Sequence, residues 1–461
     1  MTPLALASPA RSDADVTIRG YDELLEPFYL AEKPRQQWSI GGESERFGVD
    51  AQTGVPLPYD GPTGVTRILG DLRRRFGWTA LRETDTGPVI GLRRGGASVT
   101  LEPGAQVELS GAPMPNVHAV MAEMHEHLRE LDEVCGSRPL AWLSTGFHPL
   151  ATLDALPRVP KRRYAIMREY LPTRGSGALD MMWRTATVQA NFDYGSEEDA
   201  LRKLRVGLSL APLVNAMLAN SPLREGRLTG LRSSRGEAWL RVDPERTGLI
   251  PRLWRAGRLG YVDYVEWALD AGMFLFLRGD RVIPNTGQTF RSFFHNGYLG
   301  YRPTRGDWRL HLNSLFPEVR LRNTLEVRCA DALPTSLAGA LPALFTGIFY
   351  DERALEEAER LSRTLDYDAV SSARQRLVRD GLRAAIGTES AQSLAERIVE
   401  IAAGGLGRRA QLDATGADES VYLRPLVELL QHGRVPADLV AAPLPESRPA
   451  RVAEVVARTR A

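Results

Sequence analysis

Apolar and polar positions alternate between two rhythms along this chain. Residues 21–32 carry helical spacing, and Pro34 would end that helix. Residues 38–48 (WSIGGESERFG) predict a strand broken by the Gly41–Gly42 pair, followed by a Pro/Gly-rich loop. Val65, Ile68, Leu69 and Leu72 then recur on one side of a helix predicted over 64–76. Short strands are predicted at 88–93 and 97–102, joined by a turn at Arg94-Gly95-Gly96, and a third at 105–110. A helix over 115–134 carries His118, His125 and His127, and a strand follows at 183–193. Ser196 stands three residues before Asp199, close to a capping box, and opens a helix bearing Leu201, Leu204, Leu208 and Ala211 before Pro212. The Arg- and Gly-rich stretch 220–260 predicts irregular structure, 320–329 a strand, and the pattern from about 335 onward is helical. Mixed strands and helices with hairpin-like joins predict an α+β fold with a largely antiparallel sheet.

Composition narrows the field of partners. The 461 residues hold 58 Lys and Arg against 57 Asp and Glu, a formal net charge of +1, so no broad field favours nucleic acid or a membrane surface. The only lysines are Lys33, Lys161 and Lys203, so any clamp for phosphate or carboxylate must be built from arginine. Cys135 and Cys329 make neither a disulfide framework nor a zinc pattern. The opening MTPLALASPARSD has no basic n-region, and no run approaches the roughly 18 apolar residues of a membrane span. A cytosolic location is therefore expected.

Chemistry-bearing residues recur at strand spacing. Glu43 and Glu45, Gln106 and Glu108, Gln189 and Asn191, and Glu326 and Arg328 each stand two apart, so each pair points to one side of its strand. Should those faces converge, at least three carboxylates and amide oxygens share one site, a donor set suited to Mg²⁺, whose shell substrate phosphates would complete. The same alternation also describes a solvated outer face, and Glu102, next to Pro103-Gly104, reads equally as exposed. There is no G-x-x-x-x-G-K-[ST] loop and no strand-linked G-x-G-x-x-G, so phosphate would have to be held through metal and arginines. His125 and His127 face different ways on their helix and read as surface residues, and His148 as structural. Cys329 alternates with Arg328 and reads as core.

In order along the chain stand IGGESERFG (40–48), TLEPGAQVELSGAP (100–113), RRYAIMREYLP (162–172), DMMWRTATVQANFDY (180–194), ANSP (219–222), DPERTG (243–248) and FPEVRLRNTLEVRCAD (316–331). Together these segments resemble the plant-type glutamate–cysteine ligases, from about residue 35 to about 355. The resemblance implies a glutamine synthetase-like fold: a curved, mainly antiparallel sheet flanked by helices, with a helical C-terminal region. It implies a catalytic unit over 21–350, a helical region over 351–461 packed on it and a tail over 1–20. The implied substrates are L-glutamate, L-cysteine and ATP, with Mg²⁺ as cofactor and γ-glutamyl phosphate as intermediate. Glu43, Glu45, Glu108 and Glu326, with Gln189, match the family's metal-site positions. Arg163 and Arg235 match substrate-carboxylate clamps, Arg328 the phosphate-side arginine, and Arg246 a nucleotide contact. Plant members carry regulatory cysteine pairs that Cys135 and Cys329 do not reproduce, so thiol control is not expected, and a monomer or weak homodimer is.

Overall fold

The computed structural model describes residues 14–255 and 257–461. Residues 1–13 of the expected tail lie outside that range; further along it, Thr17 bridges to Thr304 and Ile18 is buried.

One sheet organises the molecule. Its strands are β1 (Ile40–Asp50), β2 (Thr79–Leu81), β3 (Gly91–Arg94), β4 (Ala97–Leu101), β5 (Val107–Ser110), β6 (Leu140–Leu143), β7 (Val188–Phe192), β8 (Val319–Leu321) and β9 (Leu325–Val327). Their order is β8-β9-β7-β1-β5-β4-β3-β2, with β6 pairing the far half of β1, and every pairing is antiparallel. The α+β, mainly antiparallel expectation holds. β1 is central because it is long enough to pair with β5 and β7 at one end and β6 at the other.

The glycine pair in β1 continues the strand instead of breaking it. A Cβ on Gly42 would lie 2.5 Å from Val120 Cγ1 and 2.7 Å from Met124 Cε, so close helix approach requires the missing side chain. Those residues belong to α1 (Val117–Cys135), whose N-cap Asn116 accepts the Ala119 N–H. His127 on α1 is buried, 2% exposed, against the surface position expected of it; His125 is exposed. The rotation that presses Val120, Met124 and Leu131 onto the sheet carries His127 inward with them.

Other boundaries move for local reasons. Residues 183–193 divide into the end of a helix, Ala178–Arg184, and β7. The single strand expected at 320–329 is a hairpin, β8 and β9, closed by the Arg322 N–H to Thr324 carbonyl bond. Pro212 sits inside α2 (Glu197–Met217), which runs on to Met217. Within 220–260, Ser233 caps a short helix α3 (Ser234–Trp239). Helices α2 and α4 (Ala340–Phe349) cover the sheet face opposite the polar one, and α4 is buried at every residue.

Candidate functional site

Strand register brings the sequence-named pairs together. Ser110, Glu43 and Gln189 stand opposite one another across β5, β1 and β7. One step along, Thr100, Glu108 and Glu45 form a second row across β4, β5 and β1. Asn191, Glu326 and Arg320 form a third across β7, β9 and β8. Directly opposed residues share a face, so the rows build one polar floor. All of these except Asn191 line a single pocket, as do Gln106, Glu102, Arg163, Arg235 and Arg328. Asn191 lies just beneath, donating from Nδ2 to Glu43 Oε1 at 2.9 Å. The solvated-face reading is excluded, since Glu43, Glu45 and Glu326 are buried.

The floor has an acidic half. Glu45 Oε2 accepts the Thr187 N–H at 3.1 Å, Gln189 Nε2 donates to Glu45 Oε1 at 3.4 Å, and Thr100 Oγ1 donates to Glu108 Oε2 at 2.6 Å. Burial, together with Glu326 and Glu108, pushes the Glu43 carboxyl up to about 8. Burial raises Glu45 well above the carboxylate range, with Glu108 and Glu102 adding to it, and raises Glu108 with help from Glu102. Buried like charges thus crowd this half of the floor.

The other half is cationic. Arg320 Nη2 reaches both Glu326 oxygens at 2.8 Å, Arg322 Nη2 donates to Oε2 at 2.7 Å, and Arg328 Nη1 donates to Oε1. Burial alone would raise the Glu326 pKa, but Arg320, Arg328 and Arg322 outweigh it and hold the carboxylate ionised. Arg328 also donates to Gln189 Oε1 at 2.9 Å, linking the two halves. Arg235 Nη2 donates to the Arg328 carbonyl at 2.7 Å and Arg163 Nη2 to Tyr164 Oη at 3.2 Å. Met167, Met181, Met182, Trp239, Phe274 and Phe316 form the apolar wall.

The fit to a hard divalent cation rests on donor chemistry. Among the described residues no three His, Cys, Asp or Glu side chains are drawn together as a ligand cluster, since Glu45 turns to a backbone N–H and Glu326 to arginines. Even so, carboxylates whose protons are retained by burial first and by mutual repulsion second are a hard-oxygen set that a divalent cation would relieve. Glu43, Glu45 and Glu108 fit that description; Glu326 stands at the border, beside Glu43 yet engaged by three arginines.

Arg246, expected as a nucleotide contact, also lies outside the pocket. It is fully buried, with Nε on Asp243 Oδ2 at 2.9 Å, Nη1 on the Ser314 carbonyl at 3.1 Å and Nη2 on the Gly272 carbonyl at 2.5 Å. Its guanidinium lies 4.0 Å from the Phe274 ring centroid, so it braces two wall residues, Phe274 and Ser314, from behind. Every nitrogen is occupied and none faces a ligand. His148 is structural as expected, its Nδ1 accepting the Ala151 N–H at 3.0 Å. Cys329 is core and Cys135 is also buried, both as free thiols.

Several lining residues escaped the sequence reading or were underweighted. Arg320 and Arg322 share the two-residue spacing of Glu326 and Arg328, a signal present in FPEVRLRNTLEVRC but read only at its end. Thr100 and Glu102 flank the end of β4, and Glu102 accepts from Tyr164 Oη at 3.3 Å. Lys161 gave no sequence signal; its Nζ is buried on the Leu101 carbonyl at 2.6 Å, and burial with the Arg163 charge lowers its pKa to about 8.

An antiparallel sheet flanked by helices, with a half-acidic, half-arginine floor, defines a glutamine synthetase-like scaffold. Its fold matches a glutamate–cysteine ligase of Francisella tularensis solved in complex with AMP, at a TM-score of 0.55 and 12% identity over 93% of this chain and 89% of that one. The family model described as Glutamate-cysteine ligase family 2 (GCS2) matches residues 39–455, and the chain belongs to that family. It is 38% identical over 443 residues to the chloroplastic glutamate–cysteine ligase of Solanum lycopersicum, covering 94% of this chain and 82% of that protein. Similarity to the Arabidopsis thaliana chloroplastic enzyme is 37% over 443 residues, with the same coverages of 94% and 82%. Oryza sativa glutamate–cysteine ligase B, also chloroplastic, is 38% identical over 410 residues, covering 88% and 80%.

Those names correct the cytosolic expectation. The plant relatives are named as chloroplastic enzymes, which runs against the cytosolic expectation. Composition and hydropathy report what a chain can dissolve in or span, whereas an organelle address is read by a receptor. No helix among the described residues is long and apolar enough to cross a membrane.

Proposed function

We propose that this protein joins the γ-carboxylate of L-glutamate to the amine of L-cysteine, converting ATP to ADP and phosphate and giving γ-glutamylcysteine, the first step of glutathione biosynthesis. The observation that carries the reading is the family match across residues 39–455, which spans every strand of the polar floor.

The chemistry explains why acids and arginines share one pocket. A carboxylate resists attack by an amine because oxide would have to leave. Attack by a γ-carboxylate oxygen of glutamate on the γ-phosphorus of ATP breaks the bond to ADP and leaves γ-glutamyl phosphate. The cysteine nitrogen then adds to the acyl carbon, gives up a proton, and phosphate departs with the C–O bond electrons. Phosphoryl transfer depends on positioning and charge neutralisation more than on covalent help.

Arg328, with Arg320 and Arg322 beside it, faces the transferring phosphoryl group and its growing equatorial charge. Arg163 and Arg235 hold amino-acid carboxylates, so the amine meets the acyl phosphate as a near neighbour. Glu43, Glu45 and Glu108, with Gln189, are the residues that would hold magnesium, and Glu326 borders that set. Magnesium, when bound, supplies charge neutralisation for the nucleotide phosphates. The apolar wall excludes water from the acyl phosphate.

The test is ADP release from purified protein with Mg-ATP and glutamate, cysteine or both. Strong release only with both, with γ-glutamylcysteine identified by mass spectrometry, is the expected outcome. Product formation with another amine in place of cysteine would retain the mechanism and change the acceptor. No release under any combination would defeat the proposal.

A further inference from the structure

Behind the pocket, a closed circuit of hydrogen bonds joins the segments that carry Arg235 and Arg328. Its hub is Asp331, three residues beyond Arg328 and fully buried. Asp331 Oδ2 accepts the Asn220 backbone N–H at 2.7 Å and the Ser221 hydroxyl at 2.6 Å, and Oδ1 accepts the Ser233 hydroxyl at 2.8 Å. Both serines lead to the first turn of α3, which carries Arg235. Ser221 Oγ accepts the Arg235 N–H at 3.2 Å, and Ser233 Oγ accepts the Gly236 N–H at 2.8 Å in the first turn of α3. The Arg235 guanidinium returns to the strand end, donating to the carbonyls of Arg328 at 2.7 Å and Cys329 at 3.3 Å.

The carboxylate is specified chemically and sterically. Three donors converge on it, which suits an acceptor-only group; an amide would turn N–H₂ towards one of them. A Cβ on Gly146 would lie 2.2 Å from Asp331 Cγ, so Asp331 fills space that any side chain at 146 would claim. Asp331 does not line the pocket, whereas Arg235 and Arg328 do.

We propose that Asp331 is a positioning residue for the ligation, fixing Arg235 relative to Arg328 so that one guanidinium meets an amino-acid carboxylate while the other faces the phosphoryl group. The inference rests on the ligase reading above. Displacements of about 1 Å in positioning groups are costly in rate because reacting atoms must meet within a narrow range.

The experiment compares KM for glutamate, cysteine and ATP in wild-type protein, Asp331→Asn, Gly146→Ala and Arg235→Lys. Gly146→Ala displaces Asp331 while keeping its charge. Both Asp331→Asn and Gly146→Ala are expected to raise KM about tenfold for the one amino acid whose KM also rises in Arg235→Lys, with KM for ATP within about twofold of wild type. Ser233→Ala, a milder break in the same circuit, is expected to give the same selective rise at about threefold, and it decides the matter where the other variants do not fold. Unchanged KM values, or a uniform change in all three alongside a lower Tm, would overturn the assignment. Wild-type protein that releases no ADP with both amino acids would instead sink the ligase reading.

Discussion

Glu326→Gln removes one negative charge from beneath three guanidiniums while keeping the shape of the side chain. Arg320, Arg322 and Arg328 all direct N–H donors at this carboxylate, and Arg320 and Glu326 are 4% and 1% exposed in their side chains. Removing one partner of a buried ion pair costs about 3–5 kcal/mol, because the charge left behind remains desolvated. The three contacts share one carboxylate, so the figure is applied once. At ~2.1 cal/mol/K per residue, a chain of 461 residues loses about 1 °C of Tm per kcal/mol. The expected fall is therefore about 3–5 °C by calorimetry. A phosphate-bearing anion should occupy the vacated positions, so pyrophosphate should raise Tm more in the variant than in wild type. A variant that melts within about 1 °C of wild type, with no added response to pyrophosphate, would refute the arginine-cluster account.

Three further expectations follow from the pocket and the residues behind its wall. A carboxyl whose folded pKa exceeds its unfolded value binds its proton more tightly when folded, so its stabilisation is complete at low pH and is lost as pH rises through that window. For Glu43 the window runs from 4.5 to about 8, so chelator-treated protein should lose stability across it, less steeply in Glu43→Gln, as thermal melts against pH will show. Glu45→Gln should lower kcat by roughly two or more orders of magnitude while leaving the circular dichroism spectrum unchanged; near-normal turnover would remove Glu45 from the site. Arg246→Met should lower Tm by leaving the buried Asp243 Oδ2 without its arginine, with only Arg174 and the Glu245 N–H on Oδ1, yet leave KM for ATP within about twofold, and a large selective rise in that KM would restore Arg246 as a nucleotide contact.

Much of the site was legible because a strand has a period of two. Glu43 and Glu45, Gln106 and Glu108, and Glu326 and Arg328 could be paired off by counting, and the pocket holds all six. Counting could not decide whether those faces met, because the alternation of a buried polar floor is the same as that of a solvated one. Pairing of β1 with β5 and β7 decided it, by setting Glu45 opposite Glu108 and Glu43 opposite Gln189.

Residues whose role depends on distant chain stayed hidden. Gly41 and Gly42 predicted a break because propensity weighs a glycine alone, whereas α1 pressing on β1 makes the missing Cβ a requirement. Arg246 resembled a nucleotide contact by its motif; only the packing of Asp243, Gly272 and Ser314 around it shows every nitrogen already satisfied. Lys161 and Asp331 gave no local signal, since their partners lie 60 and 98–111 residues away for the Leu101, Ser233, Ser221 and Asn220 contacts. By itself the sequence determined the α+β class, the same-face pairs and the family, all written in short-range periodicity and ordered segments. Tertiary structure alone decided which charges face one another, because burial and electrostatics act through space between residues that the chain order separates.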